Sequence, residues 1–233
     1  MAVEHLLSQW QTARPRLQHS GASSCLHTLS PPSRGPGLAK RLRYVEQMQI
    51  VDTELRDVKL IRPELHGDDR GWFAEIFNAP RFEAAGLPGV FVQDNQSHST
   101  RGVLRGLHYQ VRQPQGKLLR VLAGEIWDVV VDLRRNSPEF GHWAAFELHS
   151  PTPDNGVEML WVPGGYAHGF LVLSETADVL YKVTAAYDPR SERTLLWNDP
   201  ELRIPWPLDA LGAPPSVSAK DAAGLPLVSA DTF

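Results

Sequence analysis

Arg105-Gly106-Leu107-His108-Tyr109-Gln110 is answered further along the chain by Trp161-Val162-Pro163-Gly164-Gly165-Tyr166-Ala167-His168-Gly169-Phe170. Each stretch sets a histidine beside glycines inside an apolar, β-prone run. That pattern predicts two strands of one small barrel, aiming their imidazoles into a shared cavity.

On either side the chain reads as short strands divided by turns. Strands are predicted over 58–61, 72–77, 90–93, 102–109, 117–122, 125–134, 143–148, 158–162, 168–173 and 179–184, with Gly67-Asp68-Asp69-Arg70-Gly71 as a turn and one short helix over 80–85. So many short strands at even spacing argue an all-β fold, a jelly roll with short flanking helices. Alternation along 125–133 separates Ile126, Asp128, Val130 and Asp132 from Trp127, Val129, Val131 and Leu133, so Asp128 lies on a mixed face. Its carboxylate reads equally as a partner of a reacting group or as a buried structural charge. In 179–184 the same period groups Tyr181 with Val183, on a face that can join His108.

A chain of 233 residues is long enough for one sizeable core. No apolar run is long enough to cross a bilayer, and no basic stripe with interleaved aromatics offers a nucleic-acid surface. Membrane and nucleic-acid partners are therefore not expected. The single cysteine, Cys25, has no internal partner for a disulfide, which favours the cytoplasm. Residues 1–47 carry six Lys and Arg against Glu4 and Glu46, leaving about −8 on residues 48–233 from a net −4. Such a Ser-, Pro- and Arg-rich start reads as a disordered extension, as an organellar transit peptide, or as sequence upstream of a true start at Met48. One domain over 48–233 is the expectation.

Gly102, His108, Gln110, Lys117 and Gly124 resemble the first cupin motif, and Pro163, Gly165 and His168 the second. Metal-binding cupins place a second histidine where Gln110 stands and a carboxylate near Lys117. An ammonium has no lone pair to give a metal, so no metal and no other cofactor are expected. A narrower resemblance, to the dTDP-4-dehydrorhamnose 3,5-epimerase family, runs from Met48 to about Leu227. It rests on Gly67 to Phe73, Phe91-Val92-Gln93-Asp94-Asn95, Val103 to Gln110, Gln115-Gly116-Lys117, Pro163 to Phe170, Leu180-Tyr181-Lys182, Leu196 to Pro200 and Ser218-Ala219-Lys220-Asp221. Single motifs of this kind are weak; the whole series in order is specific.

The resemblance implies a cupin-like double-stranded β-helix, a homodimer with strand exchange, and epimerisation at C3 and C5 of a 4-keto dTDP-sugar. It assigns His108 as base, Asp221 as its carboxylate partner, Lys117 as the cation beside the C4 oxygen, and Tyr181 as acid. It assigns Arg70, Glu75, Gln93, Asp94, Asn95, Arg105, His168, Glu192 and Lys220 to substrate binding, with Tyr187 stacking on thymine. The chemistry suits the residue types. A hydrogen beside a ketone is acidic only when the enolate is stabilised, which calls for a base, an oxyanion partner and an acid on the opposite face. Without the resemblance, a histidine between Leu107 and Tyr109, or a tyrosine in an apolar strand, is equally a core residue. Relatives that invert C3 alone, and metal-dependent cupins, are the competing readings.

Overall fold

Alternation along the strand Glu125–Asp132 sends Ile126 and Val130 into one apolar cluster and Val129 and Val131 into another. A strand buried on both faces belongs inside a layered structure. The computed structural model describes residues 42–45 and 47–233. Its larger sheet contains β1 (Leu42–Val45), β2 (Met48–Asp52), β3 (Lys59–Pro63), β6 (Gln93–Thr100), β8 (Lys117–Ala123), β11 (Met159–Val162) and β13 (Thr176–Val183), in the order β1, β2, β3, β11, β8, β13, β6. The smaller contains β7 (Val103–Gln110), β9 (Glu125–Asp132), β10 (Trp143–His149), β12 (Tyr166–Val172), β14 (Glu192–Thr194) and β15 (Ser216–Val217). Here the order is β10, β9, β12, β7, β14, with β15 parallel to β7. A hairpin of β4 (His66–Asp68) and β5 (Gly71–Phe73) stands apart. The two large sheets face each other as a jelly roll, as expected.

Leu119, Val121, Ile126, Val130, Leu160, Phe170 and Val179 fill the space between the sheets. The outer face of the smaller sheet, with Leu104, Leu107, Tyr109 and Leu171, is covered by C-terminal segments through Leu195, Leu202 and Trp206. Across the larger sheet lies α1 (Ala79–Ala84), packing Phe82 near Leu118, Met159 and Trp161. Asn78 caps α1, accepting from the Arg81 N–H at 3.3 Å, and Pro80 sits in its first turn, so this helix falls where the sequence puts it.

Three segments differ from expectation. The strand predicted over 72–77 stops at Phe73, because it pairs only with β4. Conversely, the strand expected over 90–93 begins at Gln93 and runs to Thr100. Its sequence, Gln-Asp-Asn-Gln-Ser-His-Ser-Thr, is polar on both faces and shows no apolar period. The extension expected over 1–47 lies almost wholly outside the described residues, and of it Leu42–Val45 is a strand paired with Met48–Asp52. No helix among the described residues is long and apolar enough to cross a membrane.

Candidate active site

His108 and Arg105 are three positions apart on β7, a spacing that puts side chains on opposite faces of a regular strand. The register with β12 shifts between them: His168 faces His108, but Phe170 faces Arg105, so three steps on β7 match two on β12. This bulge turns both side chains toward the space between the sheets. Gly106 and Gly169 make it possible. Gly106 has φ 122, and a Cβ there would come within 2.6 Å of the Gly169 Cα. Only glycine permits that conformation and that approach.

The C-terminal segment brings the carboxylate. Pairing of β15 with β7 leads the chain into α2 (Ala219–Ala222), whose cap Ser218 accepts from the Asp221 N–H at 3.1 Å. Asp221 Oδ1 lies 2.6 Å from His108 Nε2, and Oδ2 accepts from the Gly106 N–H at 3.2 Å. Burial tends to raise the Asp221 pKa, but the His108 hydrogen bond and charge outweigh it and leave it below the ordinary carboxylate range. An ionised Asp221 holds the imidazole proton on Nε2. Nδ1 therefore keeps the lone pair that can act as base, on a side chain still partly open to solvent.

From the facing sheet β8 supplies Lys117 and β13 supplies Tyr181, inward beside Leu119 and Val179. Lys117 Nζ is buried and donates to the His108 carbonyl at 3.0 Å; burial pushes its pKa down to about 8, against the charges of Asp128 and Glu192. Tyr181 is raised by burial, an effect Arg105 opposes. Both Lys117 and Tyr181 lie in the field of Glu192 and Lys220, and Glu192 in that of His108. An imidazole, an ammonium and a phenol thus lie on the facing sides of the two sheets, within one electrostatic neighbourhood.

The rim is linked as well. Lys220 Nζ lies 2.8 Å from Glu192, whose other oxygen accepts from the Tyr187 hydroxyl at 2.9 Å. Gln93 accepts from the Tyr187 N–H at 3.0 Å and donates to Asn95 at 2.8 Å. Arg105 Nε donates to Ser99 Oγ at 2.9 Å, tying the two sheets together. His168 is buried and places Nε2 2.7 Å from Asp128.

Three expected binding residues stand apart from this cluster. Asp94 points to the outer face of β6, where it pairs with Lys182 at 2.8 Å. Arg70 in the β4–β5 turn pairs with Asp68 at 2.6 Å. Glu75 pairs with Arg81 and Asn78 at the start of α1. Sequence reading left Asp128 undecided and passed over Ser99, which sits in the polar run that hid β6. Gln110, in the place of a cupin's second histidine, instead donates to the Gln113 and Ala186 carbonyls and accepts from the Asp188 N–H. It fastens the loop carrying Tyr187.

Residues 52–229 match the family model described as dTDP-4-dehydrorhamnose 3,5-epimerase. The chain belongs to the dTDP-4-dehydrorhamnose 3,5-epimerase family. A relative of that name from Pseudomonas aeruginosa is 50% identical over 187 residues, covering 80% of this chain and 99% of the relative. A Legionella pneumophila dTDP-6-deoxy-D-glucose-3,5-epimerase, solved with dTDP-4-keto-L-rhamnose, superposes with TM-score 0.73 at 48% identity over 79% of this chain and 95% of that one. A 3'-monoepimerase from Streptomyces bikiniensis, solved with dTDP-quinovose, gives TM-score 0.69 at 30% identity, over 76% and 87% of the two chains. The structures this chain resembles are thus named for double and for single inversion.

Proposed function

We propose that this chain inverts C3 and C5 of dTDP-4-dehydro-6-deoxy-D-glucose to give dTDP-4-dehydro-L-rhamnose. At each carbon a C–H bond breaks, its electron pair moves onto the C4 oxygen as an enolate, and a proton returned from the opposite face restores the ketone. No net oxidation occurs, and no resident cofactor is required. His108 takes the proton through Nδ1, Asp221 stabilises the imidazolium, Lys117 faces the oxygen that turns negative, and Tyr181 returns the proton. The observation that carries this reading is the His108–Asp221 pair at 2.6 Å on one sheet with Lys117 buried opposite it.

Arg105 and Lys220 suit a diphosphate, and Gln93, Asn95, His168 and Glu192 suit the sugar and base edges. Tyr187, 51% exposed at the rim, offers a flat face for thymine. Arg70 and Glu75 do not reach the hollow of their own chain, and the hairpin beside them exposes Trp72 and Phe73. That arrangement suits a homodimer in which the hairpin serves the neighbouring copy. One cytoplasmic domain, whose larger sheet already includes β1, carries the activity.

Incubation with the 4-keto-6-deoxyglucose nucleotide in deuterated water tests the reading. Deuterium at C3 and C5 with the L-configured product supports it. Label at C3 alone would assign a single inversion, and no label at either carbon would overturn the enolate mechanism.

A further inference from the structure

Asp128 is fully buried on β9, and only one of its oxygens is satisfied. Oδ2 lies 2.7 Å from His168 Nε2, while Oδ1 is buried without a hydrogen-bond partner. An orphaned carboxylate oxygen in such a place is costly unless charge nearby compensates it. The β12–β9 register sets His168 opposite Val130, so the imidazole reaches diagonally to Asp128, and the same His168 pairs on its other side with His108 of β7. Asp128 therefore sits one strand from His168 and two from His108, on the face turned toward the sheet that carries Lys117.

We infer that Asp128 is a positioning residue of the active site: it fixes the ring of His168 and supplies the buried negative charge that holds the Lys117 ammonium in its charged form. This inference deepens the epimerase reading and rests on it for the role of Lys117. The groups acting on Lys117 come from several elements. Asp128 on β9 and Glu192 on β14 favour its charge, Lys220 on α2 opposes it, and His168 on β12 is itself disfavoured as a cation by Lys117 and His108. Glu192 is already shared between Lys220 and Tyr187. Asp128 has an oxygen to spare; burial pushes its pKa up, while the charge and hydrogen bond of His168 and the charge of Lys117 oppose that rise. Burial keeps His168 neutral, so its Nε2–H donates to Asp128 and the ring gives the cavity an acceptor, Nδ1, rather than a second positive charge.

Asp128→Asn keeps the shape and removes the charge. The alkaline limb of kcat/KM should move down by roughly one pH unit, with little loss at pH values where lysine stays protonated. In a Lys117→Arg background, whose guanidinium does not titrate there, that limb should disappear, and Asp128→Asn should then shift nothing. Equal loss at every pH with an unshifted limb would overturn the inference. Nitrogen NMR of the unsubstituted protein covers the case of an Asp128→Asn chain that does not fold. His168 should carry its proton on Nε2 across the neutral range, and a proton on Nδ1 instead would overturn the inference. Nitrogen NMR of Lys117 Nζ in parent and Asp128→Asn protein reads the same downward shift with no substrate present, so an unshifted Lys117 overturns the inference independently of the epimerase reading.

Discussion

His108 and His168 stand directly opposite one another on adjacent antiparallel strands, and each directs Nε2 to a different aspartate, Asp221 and Asp128. The two imidazoles differ in exposure. His108 is partly open to the hollow, whereas His168 is buried. The open pair is equipped for proton transfer and the closed pair for shaping the surface that receives the substrate.

His108→Ala should abolish solvent exchange at both carbons, because the described cluster holds no second imidazole open to the hollow. Asp221→Asn should leave the histidine but free its tautomer, lowering kcat by about 10²–10⁴-fold. Tyr181→Phe separates the roles: proton removal survives while product forms at least ~10²-fold more slowly. Mass spectrometry of substrate recovered from deuterated water distinguishes these outcomes. Abolished wash-in with Tyr181→Phe would exchange the assignments of acid and base.

The pH behaviour follows from Lys117, which burial pushes down to about 8. As pH rises through that value the cation facing the oxyanion is lost, so kcat should fall on the alkaline side. Stability moves the other way. Between about 8 and the ordinary lysine value of 10.5, only the unfolded chain keeps this proton, so the contribution of Lys117 to folding stability rises with pH. Paired activity and denaturation series across pH 7–10 should show the two trends diverging; parallel decline would place Lys117 outside the oxyanion role.

Gly106→Ala should destabilise the fold by about 2–4 kcal/mol, since the new Cβ meets the Gly169 Cα at 2.6 Å and the His168 carbonyl at 2.9 Å. Gly169→Ala meets the Arg105 carbonyl at 2.4 Å and should behave alike. Gly67→Ala, which meets only a carbonyl at 3.7 Å, should change stability by less than about 0.5 kcal/mol. Denaturant melts measure all three. A tolerated Gly106→Ala would mean that the bulge is not what aligns Arg105 with His108.

Elemental analysis of protein purified without chelators separates the epimerase from a metal-dependent cupin. Chelation should leave epimerisation unchanged, because Gln110 is engaged with loop backbone and Lys117 offers no lone pair while charged. Stoichiometric iron, manganese or zinc, with loss of activity on its removal, would replace the enolate scheme by metal chemistry.

Much of this was legible in the chain. Strands over Val103–Gln110 and Glu125–Asp132 announce themselves as apolar, β-prone runs, and the short helix expected over 80–85 falls within one residue of α1. The strand Gln93–Thr100 does not, because one polar face lines the hollow and the other meets solvent. Regular alternation also sets Arg105 and His108 on opposite faces. Only the bulge, a property of two strands in register, corrects this. Asp221 reaches His108 across 113 residues, a pairing no local spacing reports. Asp94, between the inward Gln93 and Asn95, faces away by the alternation of β6 itself, once that strand is known to exist.

Tyr187 gives a test of binding separate from chemistry. Its ring is held at the rim by its own N–H to Gln93 and its hydroxyl to Glu192, which also grips Lys220. If it stacks on thymine, it stabilises ground state and transition state alike, so Tyr187→Ala should raise KM by roughly 10–100-fold with kcat nearly constant. Tyr187→Phe keeps the flat face and loses only the bond to Glu192, so its KM should rise far less. Since Glu192 would then bear on Lys220 alone, Tyr187→Phe also reads whether the hydroxyl steadies the cation meant for the diphosphate: KM should become more salt-sensitive than in the parent. A fall in kcat with unchanged KM in Tyr187→Ala would instead tie this ring to the reacting carbons.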